Sequence, residues 1–396
     1  MLPPLQELDM QETSRQPYDI AFVIPNFLHM PTGGDQEVSH FCKRLVEDGF
    51  SVAIVYLKDP LKRLPRYIHA ESLSNYLRDR PMSHRLYYKL MGGYFGYRIL
   101  APLVRRFLKI DFKEDYRGAR VLFMKSLETL SVGTVIAQSW ETAFFVNACT
   151  RCTNKFYRVH HDVDDPSFTG QLSNIAAKSF ELPLKKIVQN EHLYQRFIEE
   201  YPIRNDMGIE TEDFPCKTPP ENRNEVVLFP LRKNTSKGAA YAIKAAELIH
   251  EQMPDVKIMA FGNFPAANVP RFIDFRGIVP TLELVEIYNS SSVTAIASLV
   301  EGTSFPALES MSCGSALVST DNYGVTSMVR NNFDCLIVPI MDPPAMASAV
   351  VSLLKDREKR ISMAYNGIAT SKKYSFDRTY EEFVRLIGLR KAAKVP

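Results

Sequence analysis

The chain has 396 residues, 45% of them hydrophobic, and 48 Lys and Arg against 45 Asp and Glu give it a net charge of +3. That length calls for two domains, and the hydrophobic fraction is ample for two cores. No run of about 18 apolar residues occurs and the first residues lack the basic and apolar blocks of a signal peptide, so a spanning or secreted chain is not expected and a cytoplasmic one is.

Residues 1–17 read as a polar tail. Tyr18 to Pro25 is a buried strand. The glycine loop Pro31-Thr-Gly33-Gly34-Asp35 then leads into an amphipathic helix over Gln36–Asp48, stopped by Gly49, and Ser51 to Tyr56 is the next strand, a βαβ opening. The stretch 58–109 carries twelve Lys and Arg against three Asp and Glu, +9 in a chain of net +3, and is rich in Tyr, Leu and Phe. Two readings stay open for this insertion, about 58–110. Residues 76–110 meet an anionic membrane surface, placing the protein peripherally at the inner face, or the segment is a helical insertion with a solvated basic face. Nucleic acid is not expected, because no recognised module accompanies the charge.

Further strands are expected at Val121–Met124, Thr134–Gln138, Lys155–His160 and Leu184–Asn190. Cys149-Thr-Arg-Cys152 has no second pair and no neighbouring His, so the six scattered cysteines read as reduced thiols and not as a zinc site. The polar, proline-rich stretch 217–224 reads as the linker.

Beyond it, the strand Val226–Pro230 is followed by Arg232 and Lys237, Lys237 opening a helix over Ala239–Gln252. A second apolar strand, Val293–Val300, runs into Glu301-Gly302-Thr303-Ser304-Phe305, and Glu309 falls on the first turns of the next helix. Ligands of open α/β sheets bind outside the carboxyl ends of strands, where free N–H groups at a helix start favour phosphate. Two carboxylates beside an anion site suit a nucleotide sugar: they accept bonds from sugar and ribose hydroxyls, while cations and N–H groups hold the diphosphate. A final amphipathic helix covers Phe376–Leu389.

These residues resemble the retaining glycosyltransferases of family 4, which have the GT-B fold. The likeness runs from about Val226 to Tyr374. Arg232 with Lys237-Gly238, then Gly277-Ile-Val-Pro-Thr-Leu-Glu-Leu284, then the Glu301 to Gly314 segment match the family's motifs in order and spacing. The resemblance implies an α/β chain of two Rossmann-like, doubly wound domains facing across a cleft. The expected boundaries are an acceptor-side domain at 18–216, a donor domain at 224–375, and a C-terminal helix, 376–396, packing back on the first domain.

It also implies transfer of a hexosyl residue from a nucleotide-diphospho sugar to a hydroxyl of a glycan or lipid-linked acceptor, in polysaccharide or glycan assembly. Arg232 and Lys237 would stabilise the leaving diphosphate and Glu301 would bind the transferred sugar. The N–H groups of Gly302, Thr303, Ser304 and Phe305 would hold phosphate or sugar oxygens, and Glu309 the ribose. In the first domain Gly33 and Gly34 would approach the donor or acceptor. His161, with His160 as the alternative, matches a histidine that precedes an aspartate at a strand end.

Asp162-Val-Asp164 spells a metal-binding motif of a different glycosyltransferase fold. Here Arg232 and Lys237 supply the positive charge, so no metal and no cofactor is expected. The chain departs from the family after the first glutamate, where Gly302-Thr-Ser-Phe305 replaces Gly-Phe-Gly. It also lacks a glutamate in Asn322-Tyr-Gly-Val-Thr-Ser-Met and is short between Gly262 and Gly277. A second reading is a catalytically inactive nucleotide-sugar-binding partner subunit. A dehydrogenase is disfavoured, since no Gly-x-Gly-x-x-Gly follows the first strand.

Overall fold

A computed structural model of the chain describes residues 17–24, 33–57, 118–163 and 171–390. The expected tail up to residue 16, the loop residues Pro31 and Thr32, the basic insertion with its 76–110 segment, and Asp164 and Asp165 lie outside the described residues. Two compact units are present: 1–159 with 174–186 and 387–396, and 160–173 with 187–386.

The first sheet has seven strands: β1 (Tyr18–Ile24), β2 (Val52–Leu57), β3 (Arg120–Met124), β4 (Val132–Ala137), β5 (Cys152–Val159), β6 (Lys185–Val188) and β7 (Ile203–Arg204). Their order is β3-β2-β1-β4-β5-β6-β7. Every residue of β1 and β2 is buried, because a parallel strand covered on both faces needs a continuous apolar run and not an alternating one. The first helix, Gly33–Glu47, starts three residues before the expected Gln36. Gly33 and Gly34 therefore lie in its first turn and not in a loop. Gly49, at φ 79°, supplies the left-handed residue that ends it. Inside this unit the buried side chains of Glu37 and Arg158 are in contact, and the Arg158 guanidinium stands 5.4 Å from the centre of the Phe41 ring.

The second sheet has six parallel strands: β8 (Val226–Pro230), β9 (Lys257–Phe261), β10 (Ile273–Phe275), β11 (Val293–Ile296), β12 (Ala316–Thr320) and β13 (Cys335–Val338). Their order, β10-β9-β8-β11-β12-β13, is that of a doubly wound fold. The helix Ala239–Gln252 lays Ala242, Ala245, Ala246 and Ile249 against this sheet. Small alanines let the helix approach closely, and burying Ile249 contributes about 1.5–3 kcal/mol.

The proline-rich stretch 217–224 is bound firmly into the second unit. Buried Arg223 donates to the carbonyls of Tyr288 at 3.1 Å, Ser291 at 2.9 Å and Cys313, and so satisfies the end of the helix Thr281–Ser290. The final helix, Phe376–Leu386, also belongs to this unit: the Phe376 N–H donates to Ile209 O at 2.8 Å and Asn205 Nδ2 to Thr379 O at 3.0 Å.

Candidate active site

The strand order of the second sheet reverses between β8 and β11, which pair in parallel through Val227 with Val293 and Leu228 with Thr294. In doubly wound sheets ligands bind at the carboxyl edge of the strands at such a switch point. Arg232 to Gly238 form the loop after β8, and Ala297 to Ser304 the loop after β11. The Leu299 N–H donates to Ser236 O at 2.7 Å, so the loops are stitched together. Gly238 takes φ 65°, and a Cβ there would lie 1.9 Å from Ala297 O. Only glycine allows that conformation and that approach.

The stitch explains why β11 is shorter than expected. It ends at Ile296 and not at Val300, because Leu299 has turned to Ser236 and Ser298 O accepts the Thr320 hydroxyl. Glu301 consequently stands five residues beyond the strand, held by its own N–H bond to Asn322 O at 2.9 Å. Likewise Arg232 lies two residues past β8, and Lys237 ends a 3-10 turn, Thr235–Lys237, ahead of the helix.

Lys237 Nζ sits 2.6 Å from Glu301 Oε2, and Ser298 Oγ donates to Oε1 at 2.7 Å. Glu301 is only 7% exposed, and each of its oxygens has a hydrogen-bonding partner. Its backbone neighbour Gly302 is wedged in place: Asn190 Nδ2 donates to Gly302 O at 2.9 Å, and a Cβ at 302 would fall 2.4 Å from His160 O.

After Glu301 the chain enters the helix Phe305–Ser312. The N–H groups of Gly302, Thr303, Ser304 and Phe305 have no hydrogen-bond acceptor among the described residues. Ser304 Oγ is fully buried and has no hydrogen-bond partner among the described residues, and it does not cap the helix although it holds the N-cap position. Donors clustered at a positive helix end favour anions.

Glu309 lies in the second turn of this helix, half-buried, and accepts the Tyr288 hydroxyl at 2.9 Å. Burial raises its pKa above the ordinary carboxylate value, against the Tyr288 hydrogen bond and the nearby Arg232 charge, which lower it. Arg232 itself is exposed, with its guanidinium 5.8 Å from the centre of the Phe261 ring and no hydrogen bond or ion pair among the described residues.

The second unit thus brings together Arg232, Lys237, Glu301, Gly302 to Phe305 and Glu309. Of the two histidines, His160 has its carbonyl oxygen against Gly302, and Gln189 Nε2 reaches that oxygen at 3.3 Å and the ring Nδ1 at 3.4 Å. His161 is exposed. Gly33 and Gly34 belong to the first unit. Asp162 is spent within the protein, paired with His192 at 3.1 Å and Arg196 at 3.4 Å.

Sequence reasoning did not find Ser298, Tyr288, Asn190, Gln189, His192 or Asn322. Ser298, three residues before Glu301, carried a faint signal as a hydroxyl at the end of an apolar run. Tyr288 carried none, since a tyrosine on the inner face of a helix reads as core.

The family model described as glycosyl transferases group 1 matches residues 210–370. D-inositol 3-phosphate glycosyltransferase of Corynebacterium urealyticum is 28% identical over 179 residues, 41% of this chain and 42% of that one. Alpha-D-kanosaminyltransferase of Streptomyces kanamyceticus is 28% identical over 178 residues, 41% and 46% of the two chains. The match thus spans less than half the length of these curated relatives.

Among solved structures, Anabaena HepE in complex with UDP-glucose has a TM-score of 0.65 at 13% identity, over 93% of this chain and 99% of that one. Sucrose-phosphate synthase of Thermosynechococcus elongatus has a TM-score of 0.62 at 16% identity, over 94% and 98%. Residues 210–370 are similar to the group 1 glycosyl transferases, and the chain has the α/β GT-B fold.

Proposed function

We propose that the protein is a retaining glycosyltransferase, moving a hexosyl residue from a nucleoside-diphosphate sugar to a hydroxyl of a glycan or lipid-linked acceptor. One observation carries this reading: the Lys237–Glu301 pair stands beside four unoccupied N–H groups and the buried, unpartnered Ser304 hydroxyl. The relatives add that HepE was solved with UDP-glucose and that curated relatives are glycosyltransferases.

The diphosphate binds Arg232 and the N–H groups of Gly302 to Phe305, while Lys237 turns one donor to it and keeps another on Glu301. Positive charge in place before reaction stabilises the negative charge that grows on the leaving oxygen. Glu301, paired with Lys237, accepts hydrogen bonds from sugar hydroxyls. Glu309 holds the ribose. Both oxygens of Glu301 are engaged by Lys237 and Ser298, which suits gripping better than attack on the anomeric carbon. Transfer therefore proceeds on one face of the sugar, with the departing phosphate oxygen taking the acceptor proton and no metal required.

The test is donor hydrolysis by the full chain with UDP-, GDP- and dTDP-glucose, with thermal shift alongside. A donor at a hundred times its dissociation constant stabilises the fold by about 2.7 kcal/mol. Hydrolysis with retention of the anomeric configuration supports the proposal. Binding without turnover, in the presence of acceptor hydroxyls as well, favours the inactive partner subunit instead.

A further inference from the structure

Tyr323 is the bulky residue of the second unit that stands in an unfavourable conformation beside Glu301. Its φ is 61°, in the left-handed region that costs a side-chain-bearing residue energy. Such strain persists where the surroundings impose it, and it clusters at ligand clamps. Here the surroundings are explicit. Residues 301 and 323 are partners in an isolated parallel bridge, tied by the Glu301 N–H to Asn322 O at 2.9 Å.

Bridge partners present their side chains to the same face. The next residue, Gly324, has no room for one: a Cβ there would lie 2.7 Å from Glu301 Cβ. The loop is therefore pressed flush onto the glutamate, with Tyr323 as the side chain it offers.

One face of the Tyr323 ring is fixed. His192 stacks on it with ring centres 4.0 Å apart and planes 10° from parallel. His192 is anchored in turn by Asp162 at 3.1 Å, and buried Asp162 also takes the Val163 N–H at 2.7 Å. An isolated exposed tyrosine would sample several rotamers, but this one is braced by a histidine whose own position is set by a carboxylate. With all that bracing, Tyr323 is still 44% exposed. A large ring, strained in backbone, buttressed from behind and left open is the construction of a platform and not of a core residue.

We infer that Tyr323, backed by His192 and Asp162, is the platform against which the transferred sugar lies, with Glu301 gripping its hydroxyls from the adjoining position. The inference rests on the transferase reading above. The ligand class is a pyranose, whose C–H face packs on an aromatic ring while its equatorial hydroxyls reach the neighbouring carboxylate. Tyr323 contacts substrate, whereas His192 and Asp162 are positioning residues that act through it.

The experiment compares KM for the best-hydrolysed nucleotide sugar with the inhibition constant of the matching free nucleoside diphosphate, which lacks the sugar. Tyr323→Gly adopts φ 61° without strain, so it removes the ring without forcing the loop. Its KM rises about 10-fold, the equivalent of one aromatic stack, while diphosphate inhibition is unchanged. Tyr323→Phe and His192→Phe keep the stack and stay within about 3-fold of wild type; His192→Ala follows Tyr323→Gly in part.

Equal KM in wild type and Tyr323→Gly overturns the inference, and so does a parallel loss of diphosphate affinity, which would mark Tyr323 as merely structural. If the wild type neither binds nor hydrolyses any nucleotide sugar, the transferase reading itself fails and the platform falls with it.

Discussion

Glu301 is held by two residues, Lys237 at 2.6 Å and Ser298 at 2.7 Å. Removing Lys237 leaves a carboxylate that is 7% exposed without its cation. A fully buried pair broken this way costs 3–5 kcal/mol, but Lys237 is a quarter exposed and water can enter, so Lys237→Ala loses about 1–3 kcal/mol of stability. Turnover falls by roughly two orders of magnitude, since a cation is lost from the leaving group. Glu301→Gln separates the two effects. It keeps the hydrogen-bonding shape, so calorimetric melting changes little, while sugar-dependent turnover drops. A Glu301→Gln variant with wild-type rates would contradict the role given to that carboxylate.

At the scale of elements, the site exists because β8 and β11 are neighbours at the switch point of the sheet. The two stitched loops demand glycines at fixed places. Gly238→Ala forces a Cβ to within 1.9 Å of Ala297 O and strains φ 65°. The expected outcome is a loss of about 2 kcal/mol or more, seen as a lower denaturation midpoint, with activity lost at temperatures where the variant is still folded. Gly302→Ala, blocked by His160 O, should behave in the same way. Unchanged melting of both variants would mean the loops do not pack as described.

The apolar runs of β8, β11 and β12, and the Ala-rich helix 239–252, were legible in the sequence because a parallel sheet writes itself as continuous hydrophobic stretches. The charged residues of the two loops were legible through their spacing. What stayed hidden was everything decided by partners distant in sequence. The truncation of β11 at Ile296 depends on Ser236 and Thr320, the pairing of Lys237 with Glu301 spans 64 positions, and Tyr288 is tied to Glu309 from another helix. Early onset of the first helix at Gly33 was hidden for another reason: paired glycines read locally as a turn, although a first helical turn tolerates them.

At the scale of the whole molecule, the first unit carries a buried group whose titration is tied to folding. Burial pushes the Glu37 carboxyl up to about 7 from an ordinary 4.5, an effect that Arg158 and His40 offset only in part. Between those values the folded chain keeps a proton that the unfolded chain has released. The contribution is present in full below pH 4.5 and fades as pH rises to 7, amounting to about 3 kcal/mol over that window. Denaturant titrations across pH 4.5–7 should show stability from this group declining, and Glu37→Gln should flatten the slope. A variant with the same slope as wild type would place the titration elsewhere.

Among the described residues no helix is long and apolar enough to cross a membrane. Arg232 is exposed near Glu309, its guanidinium over the Phe261 ring and without a hydrogen bond or ion pair among the described residues, in a unit whose residues 210–370 are similar to the group 1 glycosyl transferases. The most direct measurement is calorimetric titration of wild type and Arg232→Ala with UDP, GDP and dTDP. At least one nucleoside diphosphate should bind the wild type and lose about 10-fold or more in affinity in the variant, the loss expected of a charge-assisted phosphate contact. Equal affinity in the two proteins would contradict a diphosphate site built on Arg232.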